Sequence, residues 1–326
     1  GLVDTDFAAD PYRRYAASQR DRFTGEHDQY RITGSLRLID DTKIAATLYR
    51  NDFARSWSKL QDIDFDGDGR FEAIQPVFDD PDANPEALAI LRGADSAAGA
   101  LRVRNNNRVY RSQGLQVSLE KPFDTGSLRH NLTVSARIHE DEEDRLQNED
   151  FYSQTAGDLV FVRQTALGAQ ANREAKADAI AFYFEDRIEF GRLTLTPGIR
   201  YEGITLTRLD YGRDDPERLA GPTRTRKTNI DEWLPALGAT YDLGNVRLIA
   251  GVSRGFSPPG PGNPDARAEK SWNYEAGARF QNNLVSASAI AFYSDYSNLL
   301  GNCTQSGGGS VGDIGDQFNG GAVTAK

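Results

Sequence analysis

The chain has 326 residues, a formal net charge of −10, 38% hydrophobic residues, a single cysteine and a mean hydropathy of −0.59. That acidity argues against a nucleic-acid partner, and no apolar run nears the ~20 residues that a transmembrane helix needs. A helical membrane protein is therefore excluded, but a transmembrane barrel is not, because its strands alternate apolar and polar residues and keep mean hydropathy low.

In chain order, Tyr12 to Phe23 is charged and lacks apolar periodicity, as expected of a surface loop or the incoming end of a strand. Tyr30, Ile32, Leu36 and Leu38, then Ile44, Ala46 and Leu48, alternate with other residues and flank a turn at Asp40–Asp41, which predicts a hairpin. Arg55 to Arg108 lacks sustained alternation and is expected to be a long loop. Within it, Asn84 to Arg92 is expected to form a short helix, with Pro85 in its first turn. Leu115, Val117 and Leu119 mark the next strand, and Leu132, Val134, Ala136 and Ile138 the one after it, joined through Lys121–Gly126. On the second of these, Thr133, Ser135, Arg137 and His139 fill the other face, so the pair is predicted to set an apolar face against a polar one.

The acidic run Glu140 to Asp150 is expected to be a solvated loop. Leu159 to Thr165 predicts a strand. Ala175 to Ile188 and Leu193 to Ile204 predict a hairpin around Gly191, with Pro197 at an irregularity. Thr205 to Thr228 is expected to be a polar, arginine-rich loop, and Ile230 to Tyr241 and Val246 to Phe256 the next hairpin. A Pro/Gly-rich loop leads to the strands around Trp272–Phe280 and Ser286–Tyr296. A Gly/Ser-rich stretch, Gly301 to Asp316, carries Cys303 and precedes a strand beginning at Gln317. About twelve strands result, of roughly 9–12 residues, close to the ~9–11 that cross a bilayer when tilted. Their connections alternate between tight and long, which is a property of outer-membrane barrels. A soluble, secreted β-sandwich or adhesin would show the same alternation within each strand.

Chemistry is sparse. His27, His130 and His139 have no metal-ligand spacing, there is no G-x-S-x-G or phosphate-binding loop, and nothing suggests an enzyme. Within residues 62–70, Asp64, Asp66 and Asp68 with Gly69 have the D-x-D-x-D-G spacing of a calcium loop. The twelfth position is Gln75 rather than the bidentate glutamate. The stretch is thus either a calcium-stabilised loop or a hydrated acidic one.

Several pieces together resemble a known family: SRGFSPPGPG (253–262), AEKSWNYEAGARF (268–280), AFYSDYSNLLGNC (291–303) and GDQFNGG (315–321), preceded by PYRRYAASQRDRF (11–23), YRNDFARSWSKL (49–60) and FYFEDRIEFGRLTLTPGIRYEGI (182–204). They look like the barrel of a TonB-dependent outer-membrane receptor, most of all the ferric-citrate and ferric-siderophore receptors. The resemblance implies an all-β, transmembrane antiparallel barrel, with long extracellular loops and short periplasmic turns, in the bacterial outer membrane. Such receptors close with 22 strands around a plug. Residues 1–326 are therefore expected to be one incomplete barrel domain, without the plug and the closing strands. The resemblance further implies uptake of a ferric chelate, ferric citrate or another siderophore, energised by the TonB-ExbB-ExbD complex acting through the plug. The barrel itself would face outer-membrane lipid. No cofactor is required, and Fe(III) travels as cargo. A carbohydrate or cobalamin receptor is the alternative within the family.

For an anionic chelate, Arg208, Arg213, Arg224 and Arg226 are the candidate binding residues, because guanidinium forks bind carboxylates two-pronged. Asp210, Asp214, Asp215 and Glu217 offer them the competing role of local ion pairing.

Overall fold

Residues 1–261, 265–302 and 317–326 are described by the computed structural model. Period-two alternation produces an antiparallel meander. In chain order the strands are β1 (Arg22–Arg37), β2 (Lys43–Ile63), β3 (Glu72–Ala73), β4 (Leu101–Thr125), β5 (Leu128–Thr155), β6 (Asp158–Gln164), β7 (Ala171–Phe190), β8 (Leu193–Tyr211) and β9 (Pro222–Asp242). They continue with β10 (Val246–Ser257), β11 (Glu269–Gln281), β12 (Ser286–Asn298), β13 (Leu300–Asn302), β14 (Gln317–Asn319) and β15 (Val323–Ala325). Thirteen of these form one sheet in the order β1-β2-β4-β5-β7-β8-β9-β10-β11-β12-β15, with β3 beside β2 and β6 beside β5. The sheet is an arc of barrel wall whose edges are β1 and β15. Cys303 and most of the Gly/Ser-rich stretch lie outside the described residues.

Ten of the twelve expected strands are long. The other two are short: β6 folds back on β5, and β14 pairs with β13 outside the main sheet. All five tight connections lie on one rim, as Arg129 opposite Glu189, Leu193 opposite Tyr241 and Val246 opposite Phe280 show. Gly126 and Gly191 take φ of 63° and 57° in these turns, a conformation that costs glycine little. Both belong to this short-turn rim, as the alternation predicts.

Three expected loops are instead partly or wholly strand. β2 runs on to Ile63 and β4 begins at Leu101, so the first long connection shrinks to residues 64–100. β5 is 28 residues long and takes in the whole acidic run. β8 and β9 absorb residues 205–211 and 222–228. The physical reason is cross-strand ion pairing. Glu140 pairs with Lys176 at 2.9 Å, Glu142 with Arg111 at 3.6 Å, Glu143 with Arg108 at 3.5 Å and Glu149 with Arg104 at 2.9 Å. Opposite charges across a ladder hold strands together as apolar pairs do.

Nearer the short-turn rim one face is apolar. Leu119, Val134, Phe184 and Ile199 lie side by side, as do Val117, Ala136, Phe182, Tyr201 and Trp233. Phe182 stacks on Tyr201 with centroids 6.4 Å apart, Tyr201 meets Trp233 in a tilted contact at 4.9 Å, and Tyr274 meets Tyr293 at 6.2 Å. Tyr241, opposite Leu193, marks the lower edge. Leu193 and Tyr201 are eight residues apart, about 27 Å along the strand, which tilt brings close to the ~25 Å apolar band of an outer-membrane barrel. Among the aromatic residues of these strands, Phe182, Tyr201, Trp272, Tyr274 and Tyr293 lie on this lipid-side face. Strand parity turns Tyr183 and Phe292 to the other.

Beyond the opposite rim sits a small cap with its own core. Helix α1 (Asp4–Ala9) and a 3-10 turn (Ala16–Ser18) come from the segment before β1. Helices α2 (Gln75–Asp79) and α3 (Pro85–Arg92) come from residues 64–100. Pro85 opens α3 as expected. Val3, Tyr15, Ala17, Val77, Leu88, Leu91, Ile63, Leu101 and Tyr152 are buried together. Asp6 ties the pieces. It accepts hydrogen bonds from Arg92 Nε at 2.9 Å, Arg92 Nη2 at 3.0 Å and Tyr15 Oη at 2.7 Å.

Two expectations follow. Val134→Arg places a cation against lipid and should cost about 2–4 kcal/mol of barrel stability, measured by folding into vesicles. Ser135→Arg, facing the lumen, should cost much less, and equal losses would refute the facing. The bond from Arg92 holds the Asp6 carboxyl below its ordinary range. A lowered carboxyl stabilises above its unfolded-state value and loses that contribution as pH falls through the folded one. Docking of the N-terminal segment should therefore persist at neutral pH and fail only in strong acid, seen as proteolysis near Arg13–Arg14. In Asp6→Asn the same cut should appear at neutral pH.

Candidate functional site

On β5, the residues that share a face with Thr133, Ser135 and Arg137 are the lumenal ones. Near the short-turn end that face is a hydrogen-bonded network: Arg137 Nε donates to Tyr49 Oη at 3.0 Å, and Tyr49 Oη meets His139 Nδ1 at 2.6 Å. His139 Nε2 in turn meets Asp141 at 2.7 Å. His130 lies on the opposite face, between Thr125 and Asp186, and is not part of it.

Higher up, the same face becomes basic. Arg55 lies opposite Arg108, Arg108 opposite Arg145, and Arg145 opposite Arg173; Asp210 and then Arg224 continue the row. Four arginines thus stand in adjacent positions on β2, β4, β5 and β7. Arg208 lies opposite Arg226 two residues along β8 and β9. Glu143 and Asp210 are interleaved with these guanidiniums. Glu143 pairs with Arg108 at 3.5 Å and with Arg145. Asp210 accepts from Arg208 at 2.7 Å and pairs with Arg226 at 3.3 Å. Tyr110 Oη accepts from Arg55 at 3.0 Å and Arg108 at 3.3 Å. Against the burial that raises it, these two bonds pull the Tyr110 hydroxyl down. Burial first, then the charges of Arg173 and Arg108, pull the Arg145 guanidinium down to about 9. Tyr110 opposes this, and the group stays protonated at neutral pH. A cleft of about 510 Å³ opens on this wall, lined by His27, Phe53, Tyr110, Asp141, Glu143 and Ala175, with Pro261 of the loop after β10 against it.

The arginines singled out from sequence are therefore not a loop cluster. Arg208, Arg224 and Arg226 are strand residues of the lumenal wall, and Arg213 alone lies in the exposed turn at residues 212–221. That turn is anchored by Arg218, which bonds Asp144 at 2.5 Å and Asn172 at 2.8 Å. Arg55, Arg108, Arg145 and Arg173 were missed. They are scattered in sequence, and only the register aligns them.

The second candidate lies in the cap. Asp64, Asp66 and Asp68 bring one carboxylate oxygen each to within 4.8 Å of one another. Asp64 is buried and the other two are exposed. Position twelve, Gln75, turns its amide to Asp79 at 2.9 Å. Glu72 on β3 is the neighbour that sequence spacing did not single out. Burial, backed by the charges of Asp66, Asp68 and Asp64, pushes its carboxyl up.

The family description "TonB dependent receptor-like, beta-barrel" matches residues 2–326. The chain belongs to this family. Among solved structures, the ferric citrate transporter FecA is similar with a TM-score of 0.64 at 18% identity, over 91% of this chain and 38% of that one. The ferric-catecholate import receptor Fiu from E. coli K12 gives 0.67 at 15%, over 99% and 46%. The siderophore receptor PiuA from Acinetobacter baumannii gives 0.65 at 16%, over 87% and 42%. This TonB-dependent receptor barrel thus spans less than half the length of each. At such identities the likeness is one of fold. No curated protein matches the chain in sequence. The family and the lipid-side face together replace the soluble sandwich considered as an alternative.

Proposed function

We propose that this chain is part of the wall of an outer-membrane receptor that takes up an anionic ferric chelate, ferric citrate or another siderophore, with energy delivered through the TonB-ExbB-ExbD complex. The similar folds belong to a ferric citrate transporter, a ferric-catecholate import receptor and a siderophore receptor, and one further similar structure is described as an outer-membrane receptor for alcaligin.

The observation that carries the reading is the row Arg55, Arg108, Arg145 and Arg173. Like charges directly opposite across a ladder destabilise it, and four in succession persist in a chain whose net charge is −10. A multiply charged carboxylate or catecholate complex laid against the row removes that repulsion and gains charge-assisted hydrogen bonds. Screening limits the attraction to ~8 Å at physiological salt. Cross-strand neighbours stand ~5 Å apart, so the row acts as one patch, and Arg208, Arg224 and Arg226 extend it.

The test is equilibrium binding of radiolabelled ferric citrate and of a neutral ferric siderophore to the purified full-length receptor. Arg108→Gln with Arg145→Gln should weaken the anionic chelate by about 10–100-fold, since a hydrogen bond to a charged group contributes about 1.5–3 kcal/mol. The loss should be larger at low salt than at high. Unchanged affinity for both ligands would remove the arginine row from the site. Preferential binding of a sugar or cobalamin would overturn the substrate class.

A further inference from the structure

The structure assigns a divalent-cation site, selective for calcium, to the cap loop between β2 and α2, with Asp64, Asp66, Asp68 and Glu72 as its carboxylates. Convergence of three aspartates is not sufficient ground by itself, since exposed acids often cluster. The independent observation is Asp64, which is only 9% exposed. Its Oδ2 accepts from Gly69 N–H at 3.0 Å, while its Oδ1 is enclosed and has no hydrogen-bond donor. A buried carboxylate oxygen without a donor is costly unless a cation meets it. Glu72 repeats the pattern: its Oε2 is also enclosed and without a donor. The β3 pairing sets Glu72 directly opposite Ile63, next to Asp64, by a route unrelated to the aspartate spacing.

The donors are hard oxygens, which suit calcium or magnesium rather than zinc or copper. Four carboxylates supply the high oxygen count and adaptable geometry that calcium takes. Magnesium demands a compact octahedron and keeps its waters. Gly67 and Gly69, at φ of 75° and 87°, let the loop turn sharply enough to converge. The site differs from a helix–loop–helix calcium motif on both flanks. A strand enters it, and the fourth carboxylate comes from position nine because Gln75 is committed to Asp79. The loop is bounded by Ile63 and Val77, both buried in the cap core. A bound cation would therefore fasten residues 64–77 to the distal ends of β2 and β4, whichever ligand the barrel carries.

Terbium luminescence and calcium titration calorimetry on the detergent-purified full-length receptor, stripped of divalent ions, test this directly. One calcium per chain is expected, lost in Asp66→Asn with Asp68→Asn and retained in the control Asp82→Asn. Because only the closed loop would bind, calcium at one hundred times its Kd should slow proteolysis within residues 64–84 about a hundred-fold. Magnesium at the same concentration should protect far less. Equal titration of the double variant, or protection by magnesium as strong as by calcium, would overturn the assignment. The double variant leaves the buried Asp64 in place, and unaltered proteolysis outside residues 64–84 would show that it still folds.

Discussion

Register is the constraint from which the rest of this molecule follows. In the bilayer no water is available to the main chain, so each strand must give its N–H and C=O groups to its neighbours. Once β5 is paired with β4 and β7, the period of two leaves no freedom in where its side chains point. Slipping β5 by one residue would carry Arg137 into lipid and Val134 into the lumen. The aromatic bands and the lumenal network of Tyr49, Arg137 and His139 share this origin, because each joins residues from different strands that only the register sets at one height.

Above the bilayer water is present and the same ladders continue for another reason. Glu140 with Lys176 and Glu142 with Arg111 do between β4, β5 and β7 what Val134 and Phe184 do lower down. This difference set what could be read from the residues. The hairpins around Gly126 and Gly191 were legible because one face meets lipid, which writes an apolar alternation into a single strand. The upper half of β5 was not, because an acid on one strand matched by a base on another leaves each strand looking uniformly polar. Glu140–Asp150 therefore resembled a solvated loop, and Arg55–Ile63 and Leu101–Arg108 resembled the ends of one. Helix α3 was legible within its loop because its signal, Pro85 in the first turn, is local.

The two candidate sites divide in the same way. Asp64, Asp66 and Asp68 stood out because their carboxylates fall on alternate residues of one segment. Even there the pattern pointed to position twelve, whereas it is the short β3 ladder that sets Glu72 beside this segment. The arginine wall had no local signature. Arg208, Arg224 and Arg226 attracted notice by proximity in sequence, under the mistaken description of a loop. Arg55, Arg108, Arg145 and Arg173 each sit in an unremarkable polar stretch, and only pairing makes a row of them.

The cap bears on how such a row can be useful. Loops at a barrel mouth that lack a core must be ordered by the ligand, and that ordering is subtracted from affinity. Here Leu91 and Leu101 are fully enclosed, with Val3 and Tyr152 packed in the same cluster, so the segment before β1, residues 64–100 and the distal ends of β4 and β5 are ordered together by a core of their own. The upper reaches of β4 and β5 are thereby held on both sides of the row, by ladder pairing below and by the cap above. Arg108 and Arg145 are fixed through Glu143 and Tyr110, at angles that do not depend on a ligand. Electrostatic repulsion stored in a rigid wall cannot be relieved by the wall moving apart. Under the proposed function, an anion laid against the row would relieve what Glu143 leaves unmatched.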